Sequence, residues 1–538
     1  MATSPSVAVH SSPLSGNVLF STKLCQPGNV LVSKERPALA ILGEDELPYT
    51  CSWCFIYSPL PLVCRGGDSF NGLDGGRCGR CRTVRYCSKA CQQASWRADH
   101  KHECKAFESI SEPWPIAIRV GARILRSLQS GKPTFKQFFE RKSHILTLKH
   151  TQREKYELYQ TMAHDAWELA DCPSDYNIEA AEHLMSLLLC NSLTLTTPAD
   201  DPLGLAVEPL ISNANHSCTP NACIVFEGPR MQLRSFQQIQ PDEEIVISYV
   251  DQHGLFHARQ SALRHRYHFA CTCSKCKLGI QAPLQQFLAA SDKISNVSKQ
   301  EADALLEKLV ADPTLAEHHL GDSTSERQLA ALQAHGHTSL RPSRSLYQGD
   351  ASNVFLKAMQ ACTATEIWPD TRPPLPALYH SYLHRRLGNE DLSQALLAAM
   401  KLVFVIDSVL YPQEFHPVRV VHAFHLGSAA KALHVTKHPI CRRLERLDID
   451  LDILFDGLII HLDEAIEKSH GRDSQLGMLI GKNMNFLKSS RAPIMAMFGW
   501  TEEQWALNMS VQVAANWMKV EKVAKNITVE PAGLRFEG

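Results

Sequence analysis

The sequence predicts an α+β protein: a β-fold interrupted by a cysteine-rich insert and a helical insert, closed by a second cysteine-rich segment and followed by an all-α region. Three observations carry this. Short apolar and β-branched runs broken by turn signals occupy two separated segments, residues 15–50 and 191–251. The residues between the first cysteines and the second strand segment, 105–190, follow the 3.6-residue period of helices. Eight of the eighteen cysteines lie between Cys51 and Cys104, and three more crowd into Cys271, Cys273 and Cys276.

Residues 1–14 are rich in Ser, Pro and Val and lack the basic start and apolar stretch of a secretion signal, so they read as a disordered tail. In residues 15–50, Val18-Leu19-Phe20 and Val30-Leu31-Val32 bracket Gln26-Pro27-Gly28-Asn29. Proline presets one central turn position and glycine tolerates the positive φ of the next, which predicts a β-hairpin between the two runs.

Residues 51–104 contain four ligand pairs: Cys51-x2-Cys54, Cys78-x2-Cys81, Cys87-x3-Cys91 and His100-x3-Cys104. Pairs so spaced let a tight turn aim two ligands at one ion, and eight ligands make two tetrahedral zinc sites. Spacing leaves both sequential and interleaved pairings open. Cys64, inside the 23 residues between Cys54 and Cys78, has no partner two residues away. From Cys78 to Cys104, Arg80, Arg82, Arg85, Lys89, Arg97 and Lys101 outnumber Asp99 and Glu103, a basic face that anionic zinc–thiolate centres offset.

After the helical insert, Ile224-Val225-Phe226, a turn at Glu227-Gly228-Pro229-Arg230, Met231 to Phe236, and Ile245 to Tyr249 repeat the strand-and-turn pattern. The segment 252–280 holds Cys271, Cys273 and Cys276, which need a fourth ligand; Cys218 and Cys223 are the candidates. In residues 281–538, Leu392, Ala395, Leu396 and Ala399 form a helical stripe, as do Leu451, Leu454, Phe455 and Leu458. The second helix is expected to continue to His470 and stop at Gly471. The stretch from about Leu315 to Ser352, rich in His, Ser, Gly and charge, reads as an exposed linker or a variable loop.

Lys and Arg number 55 against 56 Asp and Glu, so no global field steers nucleic acid or anionic membrane to the protein. The longest apolar-looking stretch, His183 to Ala199, is broken by Ser, Asn and Thr, short of the ~18 apolar residues a membrane span needs. A soluble, intracellular protein is expected, in which cysteines serve as metal ligands or buried thiols rather than disulfides.

The run CGRCRTVRYCSKACQQASWRADHKHEC, Cys78 to Cys104, resembles the MYND zinc finger. Asn215-His216-Ser217-Cys218 and Pro241-Asp242-Glu243-Glu244-Ile245-Val246-Ile247-Ser248-Tyr249 resemble the two signatures of the SET domain. With Tyr267 to Cys276 behind them, the order resembles the SET and MYND domain (SMYD) family of protein-lysine methyltransferases over about residues 15–280.

The resemblance implies interleaved finger pairs, with Cys51, Cys54, Cys87 and Cys91 on one zinc and Cys78, Cys81, His100 and Cys104 on another. It implies a third zinc on Cys218, Cys271, Cys273 and Cys276. It further implies S-adenosylmethionine as cofactor, held by Gly16, Asn17, Asn191, Asn215, His216, Tyr249 and Phe269. Tyr249 would be the catalytic phenol and Tyr267 a wall of the substrate channel. Neutralising a lysine of ordinary pKa ~10.4 near pH 7 costs about 4–5 kcal/mol, which a narrow aromatic channel lowers by desolvation.

The sequence departs from the pattern at Val18, where a second glycine is expected, at Ser212-Asn213-Ala214, and in the long gap before Cys78. Expected partners are a protein substrate with a target lysine and a peptide at the finger, in a monomer of the nucleus and cytoplasm, with neither nucleic acid nor membrane and with a tetratricopeptide-like helical region. The rival reading is a catalytically degenerate adaptor that uses the same finger and helices.

Overall fold

A computed structural model describes residues 6–12, 16–56, 76–108, 113–171, 176–198, 200–254, 256–279, 352–363 and 369–537. Cys64 and residues 315–351 of the expected linker lie outside the described residues. The chain divides into two compact units, one running to Val250 with Gln260–Cys276 added, the other comprising Asp251–Arg259 and the residues from Lys277 onward.

The first unit is a set of small sheets. Its strands are β1 (Val7–Ser12), β2 (Gly16–Ser21), β3 (Val30–Lys34), β4 (Leu39–Leu42), β5 (Leu193–Thr196), β6 (Pro202–Val207), β7 (Asn215–His216), β8 (Ala222–Glu227), β9 (Arg230–Ser235) and β10 (Val246–Ile247). They pair as β1–β2, β3–β9–β8, β4–β6–β5 and β7–β10, the last parallel with Asn215 opposite Val246 and His216 opposite Ile247. The β8–β9 hairpin forms at the expected turn, Glu227 to Arg230.

Two expectations are corrected. The turn at Gln26–Asn29 exists, with Asn29 N–H donating to Gln26 O at 3.0 Å, but the runs beside it do not pair with each other. β2 pairs with β1, Val9 opposite Leu19, and β3 pairs with β9, Val32 opposite Leu233, so each strand takes a partner from a different part of the chain. The first of these pairings also gives residues 7–12 of the expected tail a regular structure.

Between the strand segments, helices Ile116–Gln129, Arg153–Ala170 and Ile178–Asn191 pack on one another. Ile124, Leu125, Leu128, Ala163, Leu184, Leu187 and Leu188 bury the shared face, together with Ile41 of β4 and Val207. Burying each large aliphatic side chain contributes about 1.5–3 kcal/mol.

The second unit is helical, with successive helices Leu375–Gly388, Leu392–Lys401, Pro417–Val435 and Leu451–Ser469 stacking on their predecessors and Gln475–Phe498 and Glu502–Lys525 following. Caps mark the boundaries. Asp450 accepts from the backbone of Asp452 and Ile453, and Thr501 and Gln504 form a reciprocal capping box. The Leu451 helix ends at Ser469 with His470 as cap, and Gly471 takes φ +92°, a conformation that favours glycine.

The apolar stretch that begins at His183 leaves the helix Ile178–Asn191 for β5, and a longer apolar run lies in the helical unit. Among the described residues, Leu392–Leu410 is long and apolar enough to span a bilayer, with mean hydropathy 1.7. More than half of it is buried inside the protein, as in a core helix, and it carries buried Lys401 and Asp407.

Candidate functional site

The finger's ligands converge as two interleaved sets. Cys51, Cys54, Cys87 and Cys91 form one, Cys78, Cys81, His100 and Cys104 the other, the ligand atoms of each set lying within 4.8 Å of one another. In the first, Cys54 and Cys87 sulfurs are 3.5 Å apart and Cys87 and Cys91 3.4 Å; in the second, Cys78 and Cys104 are 3.7 Å apart and Cys81 is 3.7 Å from His100 Nε2. A zinc tetrahedron with bonds of ~2.3 Å has sulfur–sulfur edges of about 3.8 Å, so the donor sets fit the ion.

Local sequence explains the geometry. Ser88 caps the helix Lys89–Ser95, accepting from Cys91 N–H and so fixing the Cys87–Cys91 turn. Burial holds His100 near pKa 4, keeping the imidazole neutral as a ligand must be. The Cys54 hydrogen bond brings the Cys51 thiol down to about 5.

Residues that carried no signal in the sequence complete the finger. The Arg36 guanidinium lies 4.0 Å over the Trp53 ring and donates to Trp53 O, facing the charges of Cys54, Cys91 and Cys51. Glu103, buried, takes two hydrogen bonds from Arg123 at 2.7 and 2.8 Å, and Asp99 pairs with Arg123 and Arg126. Both acids between Cys78 and Cys104 therefore point at the helix Ile116–Gln129, while Arg82, Lys89, Arg97 and Lys101 are exposed.

The third set is Cys218, Cys271, Cys273 and Cys276, with Cys218 at 3.5 Å from Cys276 and 4.0 Å from Cys271. Cys223 sits apart on β8 opposite Arg234, its thiol pushed up to about 12 by burial. Burial opposes ionisation of Cys273, but backbone N–H groups of Cys276 and Cys218 bring its thiol down to about 6. Gln260 brackets Cys271, donating to its carbonyl at 2.8 Å and accepting from its N–H at 3.1 Å.

Next to this set lies an aromatic site. His216 Nδ1 accepts from Tyr249 N–H at 2.9 Å, and its Nε2 lies 3.2 Å from Cys218 Sγ. Those partners fix the ring as the Nε2–H tautomer, bridging the thiolate set to the Tyr249 backbone. The Tyr249 hydroxyl donates to Ala214 O at 2.6 Å; burial, then Tyr267, pushes the phenol above its ordinary range. Tyr267 packs 4.8 Å from Tyr249, ring centre to ring centre, and Phe269 lies 6.0 Å from His216.

The β7–β10 ladder sets this arrangement, and Asn221 staples it. Its amide donates to Glu244 O at 2.8 Å and accepts from Val246 N–H at 2.9 Å. Asn215 donates to Glu244 Oε1 at 2.8 Å, and β2 runs alongside, Ile245 N–H donating to Leu19 O.

Gly16 and Asn17 lie at the start of β2 opposite Ser12 and Ser11, with Gly16 at φ +72°. Val18 is buried, and β2 packs against the turn Ile211–Asn213. Asn191 meets the site through Arg141, a residue that no sequence signal marks. Arg141 donates to Asn191 Oδ1 at 3.0 Å, Ser212 Oγ at 2.8 Å and Asn213 Oδ1 at 2.7 Å. The unusual Ser212-Asn213 pair is thus the acceptor for a half-buried guanidinium.

The zinc-finger geometry defines the class, an α+β protein with a MYND finger: the MYND finger family matches residues 51–104. The chain is 32% identical over 275 residues to the human histone-lysine N-methyltransferase SMYD3, covering 48% of this chain and 60% of that protein. It is 28% identical over 280 residues to the Arabidopsis thaliana histone-lysine N-methyltransferase ASHR1, covering 50% and 55%. The chain thus spans less than two thirds of the curated relatives it matches, and over that span it resembles the SET and MYND domain methyltransferases. A crystal structure of the SET domain of LSMT bound to lysine and AdoHcy aligns over 83% of this chain and 92% of that one at 12% identity, with a TM-score of 0.30, at which a shared fold does not follow.

Proposed function

We propose that this protein transfers methyl groups from S-adenosylmethionine to lysine side chains of a protein substrate, histone or non-histone, and carries three structural zinc ions on its three ligand sets. The observation that carries the reading is the setting of Tyr249. Its phenol is desolvated, anchored to Ala214 O and flanked by Tyr267, while His216 holds its backbone.

Asn215, His216 and Phe269, with Gly16, Asn17 and Asn191, would hold the cofactor, which supplies a methyl group on a cationic sulfur. The Tyr249–Tyr267 pair would exclude water from an incoming lysine and so favour its neutral amine. The Tyr249 hydroxyl, kept protonated by its raised pKa, would orient that amine. The thiolate set at Cys218 holds the wall of the site through His216. The finger's exposed face would receive a peptide partner.

Labelled-methyl transfer to a cell extract tests the reading. Tyr249→Phe keeps the ring, so it should fold with a loss of about 1 kcal/mol, from one hydrogen bond. Its transfer rate should fall roughly tenfold to a thousandfold while cofactor affinity, measured by calorimetry, changes little. Wild-type protein that binds no S-adenosylmethionine at millimolar concentration ends the reading and leaves a non-catalytic adaptor.

A further inference from the structure

The helical unit contains a histidine cluster that the zinc reading does not use. His380 and His384 stand one turn apart on the helix Leu375–Gly388, and His422 faces them from the helix Pro417–Val435; one ring nitrogen of each lies within 4.8 Å of the others. His380 Nδ1 is 2.7 Å from His422 Nε2, and the His380 and His384 ring centres are 4.3 Å apart. Two histidines at i and i+4 share one helix face, the spacing by which helical histidine pairs grip a metal ion.

A second observation points the same way. Asp407, 1% exposed, accepts from His422 Nδ1–H at 2.8 Å through Oδ2, and its Oδ1 meets no hydrogen-bond partner. With the proton on Nδ1, the His422 lone pair is on Nε2, toward His380 and His384. A carboxylate behind an imidazole is the usual outer partner of a metal-ligating histidine, fixing both tautomer and ring direction.

The chain delivers Asp407 by an irregularity. The apolar helix Leu392–Lys401 passes through a π-helical turn at Leu402–Ile406 before continuing as Asp407–Leu410. One extra residue in a turn shifts the helix phase by about 100°, and such turns occur often at functional sites. Lys401, the other buried charge of this stretch, pairs with Asp370, so the buried Asp407 carboxylate needs its own compensating charge, and a cation held by the facing imidazoles supplies it.

We propose that His380, His384 and His422 bind a divalent transition-metal ion, zinc by the borderline-soft character of three imidazoles, with Asp407 as the outer carboxylate. His384 and His422 are buried, whereas His380 is half-buried. Zinc–nitrogen bonds of ~2.0–2.1 Å require nitrogens about 3.3 Å apart. His380 therefore breaks its hydrogen bond to His422 and moves outward slightly as the ion enters. Three imidazoles leave a fourth position for water. This all-nitrogen site is chemically distinct from the thiolate sets and does not depend on methyl transfer.

The test uses the full chain with its thiolate sets loaded and zinc as the probe. Calorimetric titration and elemental analysis should find one zinc per chain more in wild type than in His380→Ala, with micromolar or tighter affinity. X-ray absorption should assign the added zinc a shell of nitrogen and oxygen without sulfur. Asp407→Asn should weaken it roughly ten- to a hundredfold. Added zinc should raise the melting temperature of wild type and leave that of His380→Ala unchanged. His380→Ala alters a half-buried side chain and should keep the fold; if His384→Gln does not fold, the first variant decides. Equal zinc content in wild type and His380→Ala overturns the proposal and leaves a hydrogen-bonded histidine triad around Asp407.

Discussion

Between Cys51 and Cys104 the buried apolar side chains among the described residues, cysteines aside, are Phe55, Val84 and Tyr86. The single helix Leu451–Ser469 buries Leu451, Leu454, Phe455, Leu458, Ile459, Leu462, Ala465 and Ile466. The finger thus has too little apolar surface to hold its loops together, and its ligand sets take over that role; the helices need no such help. The contrast shows where each region is vulnerable: one to loss of a ligand, the other to loss of a methylene.

The largest expected effect follows from removing metal. Structural zinc in small fingers contributes on the order of 10–16 kcal/mol to the bound state. Strong chelation should therefore unfold residues 76–108, seen as loss of amide protection by hydrogen exchange, while peptides from Leu451–Ser469 stay protected. Cys87→Ser should release the metal of the first set alone. Simultaneous loss of protection in the helices would break the contrast.

A smaller effect tests the other side. Leu454 is fully buried, and Leu454→Ala should cost about 2–5 kcal/mol, read in denaturant unfolding followed by circular dichroism, with zinc content unchanged. The smallest sharpens the comparison at a helix end. Thr501→Ala removes the capping box of Glu502–Lys525 and should cost about 1 kcal/mol, leaving the finger's hydrogen exchange untouched.

The same contrast governs what is legible in the sequence. Ligand pairs two or three residues apart announce themselves, so the finger sets can be read directly, and the resemblance supplies their interleaving. Cys218 lies far in sequence from Cys271 and is reached only through the resemblance. Arg141, Asn221, Arg36 and Glu103 act singly, through contacts to distant partners, and a lone polar residue carries no period or spacing. The His380 and His384 pair does have helical spacing, but the third histidine and the carboxylate come from other helices. The expected hairpin fails for a related reason: the turn at Gln26–Asn29 is local, whereas the partner of each strand is chosen by sheet packing across the chain.

The place of β2 has a consequence for how the protein is made. Its partners on one side are the residues around Ile245, which leave the ribosome long after Leu19 does. At about 5–20 residues per second, that interval is on the order of ten to forty-five seconds. During it, β2 would present a bare row of backbone donors and acceptors on both sides. β1 needs only the three-residue connection from Ser12 to Gly16, so it pairs at once and covers one of them. The strand folded out of the expected tail is thus the nascent chain's earliest protection against pairing with a neighbour.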